Sequence, residues 1–87
     1  MPCVYILQGV NSGRYYVGST TNIEERLKHH FGGHTPSTKK FGRLKVSLVQ
    51  DYLTLKDARS IERKLKRLKR HDYIDKIVKD GVIKILP

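Results

Sequence analysis

The chain has a single cysteine, Cys3, in 87 residues. No disulfide can form within it, and a reducing compartment, the cytoplasm, is expected. Cys3 reads instead as a small apolar filler at a strand start. Apolar runs never exceed a handful of residues, which excludes a membrane-spanning helix. No basic region leads into a long apolar stretch at the N-terminus, so no secretory signal is expected. Lipidation motifs are missing and the basic segments carry no face of bulky aromatics, so no membrane partner is expected. Acids are scarce: 8 Asp and Glu stand against 18 Lys and Arg, a net charge of +10. That much self-repulsion in a small chain points to a polyanionic partner, nucleic acid before acidic membrane. A merely soluble basic surface is the plainer alternative. Repeats, low-complexity tracts and interior linkers are also absent, and 38% apolar residues suffice for one modest core. Residues 1–87 therefore read as a single domain.

What is present is a set of short, well-punctuated elements. Cys3-Val4-Tyr5-Ile6-Leu7 and Tyr15-Tyr16-Val17-Gly18 read as strands, separated by the turn formers of Gly9-Val10-Asn11-Ser12-Gly13-Arg14. Opposed residues of an antiparallel pair share a face, so Tyr5 and Tyr16 on matched positions are expected to face one another. Plain amphipathic strand tyrosines would read the same way. Asn22 to Phe31 reads as a helix capped by Asn22, with Glu25 as its capping-box partner and Gly32-Gly33 as its end. Its expected apolar face is Ile23, Leu27 and Phe31. Residues 33–43 read as a basic surface loop containing Lys39 and Lys40. Leu44 to Leu53 reads as a third strand, with Val46, Leu48, Val49 and Tyr52. Thr54 opens a long helix striped by Ala58, Ile61, Leu65 and Leu68. Asp72 is expected to cap a last helix bearing Ile74, Ile77 and Val78, ended by Gly81. Val82 to Leu86 reads as an edge strand or an extended tail. The order β-β-α-β-α-α predicts an α/β (α+β) fold, a small three-stranded antiparallel sheet flanked by helices.

Two helical positions stand out. From Arg59 to Arg70 lie seven basic residues (Arg59, Arg63, Lys64, Lys66, Arg67, Lys69, Arg70) and one acid, Glu62. At about 100° per residue Glu62 falls on the shoulder of the apolar stripe. It reads either as an intrahelical ion pair with Lys66 and Arg59, or as a groove-edge ligand for a hard cation, which needs few protein carboxylates. Arg26 sits on the shoulder of the first helix with His30 one turn on. Together they can grip a phosphate, although a solvated arginine stem covering apolar surface is the ordinary reading. His29, His30 and His34 make no zinc site, because Gly32-Gly33 interrupts them and no cysteine cluster joins them. Neither a phosphate loop nor a Ser-His-Asp arrangement has local support.

The joint spacing of Val4-Tyr5, Tyr16-Val17-Gly18, Arg26, His30 and Glu62 resembles the GIY-YIG nuclease superfamily, from Val4 to about Arg70. The stretch from Tyr16 to Gly33 looks like its second motif and first helix. In size and layout the chain is similar to compact stand-alone members related to the excision-repair incision nuclease domain. The resemblance implies a Mg²⁺- or Mn²⁺-dependent endonuclease on double-stranded or branched DNA, with low sequence specificity, in DNA repair or recombination. It implies Tyr5 as general base, Tyr16 orienting water and phosphate, Arg26 holding the scissile phosphate, His30 assisting, and Glu62 binding one divalent cation. Lys39, Lys40, Arg63, Lys66, Arg67, Lys69 and Arg70 would contact the nucleic acid, and a partner protein would supply specificity. A catalytically silent binding module or an accessory subunit of a DNA-processing complex is the alternative. Cys3 and Val4 replace the Gly and Ile of the first motif, and Val17 the Ile of the second. Ser19 stands where some branches carry a basic residue, and Leu68 where the small group often has tryptophan.

Overall fold

A computed structural model of the chain describes residues 1–31, 43–68 and 70–87. Its elements are β1 (Cys3–Gly9), β2 (Tyr15–Thr20), α1 (Ile23–Phe31), β3 (Leu44–Asp51), α2 (Leu55–Leu68) and α3 (His71–Asp80). The expected order β-β-α-β-α-α is what forms. Gly13, at φ 73°, makes the β1–β2 turn possible, because that left-handed conformation costs glycine little. The turn closes when the Gly9 N–H donates to the Arg14 carbonyl and the Gly13 N–H to the Gly9 carbonyl.

The strands form one antiparallel sheet in the order β2-β1-β3. β1 is central and covered on both faces, which explains its near-continuous apolar run, buried from Cys3 to Leu7. Strand alternation sends Val4, Ile6 and Val17 to one face. There they join Leu48, Ala58, Ile61, Leu65, Ile74 and Ile83 in the core. The expected stripe of α2 is therefore the core seam, and burying Ile61 alone contributes about 1.5–3 kcal/mol. Thr54 Oγ1 caps α2 by accepting from the Asp57 N–H at 3.1 Å. On the opposite face lie Tyr5, Leu7, Tyr16 and Gly18, against α1.

Several expectations need correction. The buried residue of α1 is His30, whereas Phe31 is 53% exposed and Ile23 and Leu27 are half-buried. Asn22 does cap α1, accepting from the Glu25 N–H at 3.1 Å, but Thr20 Oγ1 takes the Asn22 N–H in place of Glu25. β3 stops at Asp51, and Val46 and Val49 face outward. A bulge in its pairing near Ile6 and Leu7 shifts which side chains point inward. Asp72 is not the cap of α3. Arg70 holds that position, with Asp72 in the first turn paired to it at 3.0 Å. Gly81 ends α3 in the left-handed conformation, as expected. Of the two readings of Val82 to Leu86, the extended tail is the one that forms. Gln50 holds it by accepting from the Ile83 N–H and donating to the Ile83 carbonyl, imitating a ladder pair. The Gly32-Gly33 helix end and the 33–43 loop, with His34, Lys39 and Lys40, lie largely outside the described residues, as does Lys69.

Candidate active site

Strand register decides where the two phenols lie. Tyr5 is opposite Gly18 and Tyr16 is opposite Leu7, so the tyrosines are diagonal neighbours on one face and not directly opposed. Their ring centroids are 6.4 Å apart. Gly18 is what lets Tyr5 lie flat across β2. A Cβ there would stand 2.5 Å from Tyr5 Cζ and closer still to the hydroxyl. In sequence Gly18 registers only as part of a motif; its steric role requires the register.

His30 comes down from α1 onto this pair. It is 3% exposed, with its Nε2 3.0 Å from the Tyr5 hydroxyl and its ring centroid 5.0 Å from that of Tyr16, edge-on. Burial pushes the Tyr5 phenol up to about 12, and Tyr16 and the Glu62 carboxylate add to the rise. The Arg26 guanidinium pulls the other way, through its charge and hydrogen bonding. Burial also lowers the pKa of His30, helped by the positive charges of Arg26 and His29. The imidazole is thus neutral at pH 7. With its proton on Nδ1 it accepts the Tyr5 O–H at Nε2.

Glu62 approaches from the other side of the sheet. α2 packs on the core face, and Glu62 reaches the edge of β2, where the Ser19 hydroxyl donates to Oε1. Lys66 Nζ donates to Oε2 at 2.6 Å. The ion pair anticipated for Glu62 therefore forms with Lys66, and among the described residues not with Arg59. The Glu62 side chain is 21% exposed, on the shoulder where its helical position put it. Ser19 was legible only as a departure from a basic residue; in space it is the group that orients Glu62, while Lys66 brings a cation to the same carboxylate. Among the described residues no three His, Cys, Asp or Glu side chains gather as a ready metal site.

The basic residues divide by position. Arg63, Lys66 and Arg67 are exposed along α2. Arg70 pairs with Asp72 and lies 4.8 Å over the Tyr73 ring. No described helix is long and apolar enough to cross a membrane.

The site thus joins a buried phenol–imidazole pair, a guanidinium beside it and a carboxylate at the strand edge. The family model of the GIY-YIG catalytic domain matches residues 1–75. The chain belongs to that family. No curated protein and no solved structure matches it. The match takes in β1 to the first half of α3, and so spans Tyr5, Tyr16, Arg26, His30 and Glu62. GIY-YIG domains form a nuclease family. Cys3 and Val4, the departures in the first motif, are fully buried and serve packing, leaving the phenol of Tyr5 as the polar group there. Leu68 is half-buried against the core, a packing position.

Proposed function

We propose that this protein is a divalent-metal-dependent endonuclease that hydrolyses DNA phosphodiester bonds in the cytoplasm, with weak sequence preference, in repair or recombination. The observation that carries this reading is the 3.0 Å bond between buried Tyr5 and buried His30, beside Arg26 and within electrostatic reach of Glu62. A binding module needs only the basic surface, whereas buried titratable groups cost stability and are kept for chemistry.

Tyr5 held near 12 is not a phenolate at neutral pH. It acts by taking a proton as it gives one up. The proton of the attacking water moves to the Tyr5 oxygen while the Tyr5 proton moves to His30 Nε2. The water oxygen bonds to phosphorus as the bond to the leaving oxygen breaks. Tyr16 orients water and phosphate, and Arg26 binds the non-bridging oxygens as charge develops on them. Tyr5 is fully covered, so DNA has to part that cover before water reaches the phenol, and hydrolysis waits on substrate.

Glu62 would hold the cation. Its donor set fits a hard ion such as Mg²⁺ or Mn²⁺: one carboxylate, oriented by Ser19, partly exposed, with the other positions left to phosphate and water. Lys66, 53% exposed, is free to swing off Glu62 to a phosphate. When bound, such an ion stabilises charge on the phosphate and the leaving oxygen. Arg63, Lys66, Arg67 and Arg70, with Lys39, Lys40 and Lys69, are assigned to DNA phosphates. Such contacts position a duplex without reading its bases, so selectivity comes from DNA structure or a partner protein.

One observation favours the alternative of a silent nucleic-acid-binding module: the Glu62–Lys66 ion pair satisfies the carboxylate without any metal. Nicking of supercoiled DNA in Mg²⁺ by wild-type and Tyr5→Phe protein decides between them. The expected loss in the variant is roughly 10²–10⁴-fold, the value of general-base help. A folded Tyr5→Phe protein cutting at the wild-type rate removes Tyr5 from the chemistry, and no cutting by the wild type leaves the binding module.

A further inference from the structure

Beside β2 opens a groove of about 360 Å³, within the size range of small-molecule sites. Two of its lining residues tie it to the candidate active site. Tyr16 packs edge-on against His30, and Lys66 donates to Glu62. Through Lys66 the groove lies beside Glu62, the proposed cation ligand, and it leads away along the strand edge. Its floor is apolar, built by Val17 and Leu65, and its rim carries Arg14, Lys66, Arg70 and His71.

The aromatic wall is held in place at both ends. The Tyr15 hydroxyl donates to Asp75 Oδ1 at 2.9 Å, and His71 Nε2 is hydrogen-bonded to the Gly13 carbonyl at 2.9 Å. The two rings lie 4.7 Å apart between centroids, and His71 is exposed. Nearby acids are already engaged: Asp72 with Arg70, Asp75 with Tyr15 and Lys79, Glu62 with Ser19 and Lys66. A fixed aromatic platform over an apolar floor, rimmed by cations, suits one ligand chemistry: a flat base attached to a phosphate. A base inside a duplex must first be unpaired and unstacked to enter, a cost that an unpaired one is largely spared.

We propose that this groove receives one unpaired nucleotide of the DNA strand next to the scissile phosphate, with its base on the Tyr15–His71 wall and its phosphate against Arg14 and Lys66. The inference rests on the nuclease reading and narrows it, naming as substrate class DNA with an unpaired nucleotide at the cut, such as a flap or a single strand. The test uses the full chain carrying Tyr5→Phe, so that DNA is bound and not cut. A fluorescent adenine analogue is placed at the unpaired position of a flap, and binding is compared with a matched blunt duplex. The flap is expected to bind roughly 5- to 100-fold more tightly, with quenching of the analogue by stacking. His71→Ala is expected to shrink that ratio at least about fivefold, and His71→Phe, which keeps a ring, to restore it. Equal affinity for flap and duplex without quenching overturns the subsite and leaves the nuclease reading standing. Quenching that survives His71→Ala overturns the assignment of the wall. Failure to bind either DNA overturns the nuclease reading as well.

Discussion

Gly18→Ala adds one methyl group, removes no polar atom, and is expected to disable the site. Gly18 does not lie in the left-handed region, so alanine is allowed by the backbone there. At an unstrained position the exchange would stabilise by about 0.4–1 kcal/mol, through reduced entropy of the unfolded chain. Here the new methyl would stand 2.5 Å from Tyr5 Cζ and 3.0 Å from Cε1, well inside the roughly 3.5–4.0 Å of a relaxed carbon contact. Tyr5 is fully buried and has nowhere to swing. Overpacking of this kind costs about 1–3 kcal/mol, more than the entropic gain. The net expectation is a loss of roughly 1–2 kcal/mol, a fall in Tm of roughly 4–16 °C for a chain of this size. Displacing Tyr5 from His30 by even about 1 Å is expected to cost up to roughly 10²-fold in nicking rate. Thermal unfolding followed by circular dichroism gives the first quantity, and nicking of supercoiled DNA the second. In a Tyr5→Leu background the clashing ring atoms are gone, and Gly18→Ala is expected to become neutral or stabilising. A Gly18→Ala protein with a raised Tm and an undiminished rate would refute the packing argument.

Arg26→Ala is expected to lower turnover roughly 10²–10³-fold while DNA affinity changes little. The pair Arg63→Ala and Arg67→Ala is expected to weaken binding and flatten its salt dependence by up to about two units of slope; equal loss of affinity in both proteins would sink the division of roles. Because the His30 pKa lies below 6.5, the rate is expected to hold as pH falls through 6.5 and to fail only lower, when a protonated imidazole can no longer accept from Tyr5. A pH–rate profile whose acid limb lies above 6.5 contradicts the relay. The same shift bears on stability: the unfolded chain protonates His30 first, so stability drops as pH falls from 6.5 through the folded pKa, and Tm against pH should show it less in His30→Gln. Glu62→Gln is expected to abolish hydrolysis and leave DNA binding intact or tighter, because an amide is a poor ligand for a hard cation. An unchanged Mg²⁺ titration would return Glu62 to its ion pair with Lys66.

Local physics alone made much of the chain legible. The apolar stripe of α2, the Thr54 and Asn22 caps, the Gly81 stop and the turn formers before Tyr15 each act over a few residues, so sequence spacing suffices to place them. The same holds for the sites that rest on helical geometry: Glu62 on the shoulder of its stripe, and His30 one turn beyond Arg26. The outward turn of Phe31 and the inward turn of His30 were not legible, because hydropathy favours burying the phenyl ring and only a buried phenol makes burying the imidazole favourable. Asp72 looked like a cap for the same reason Arg70 could become one: capping depends on where the chain turns between two packed helices, a long-range matter. Register decided most. Whether Tyr5 meets Tyr16 or Gly18 is a shift of two residues in a pairing that local sequence barely constrains. That shift gives Tyr5 the space above a glycine, brings His30 onto its hydroxyl, and leaves Ser19 at the strand edge to meet Glu62 from the other side. Residue types and their spacing named the chemical groups; tertiary packing, through strand register and burial, set which of them touch and which protons they hold.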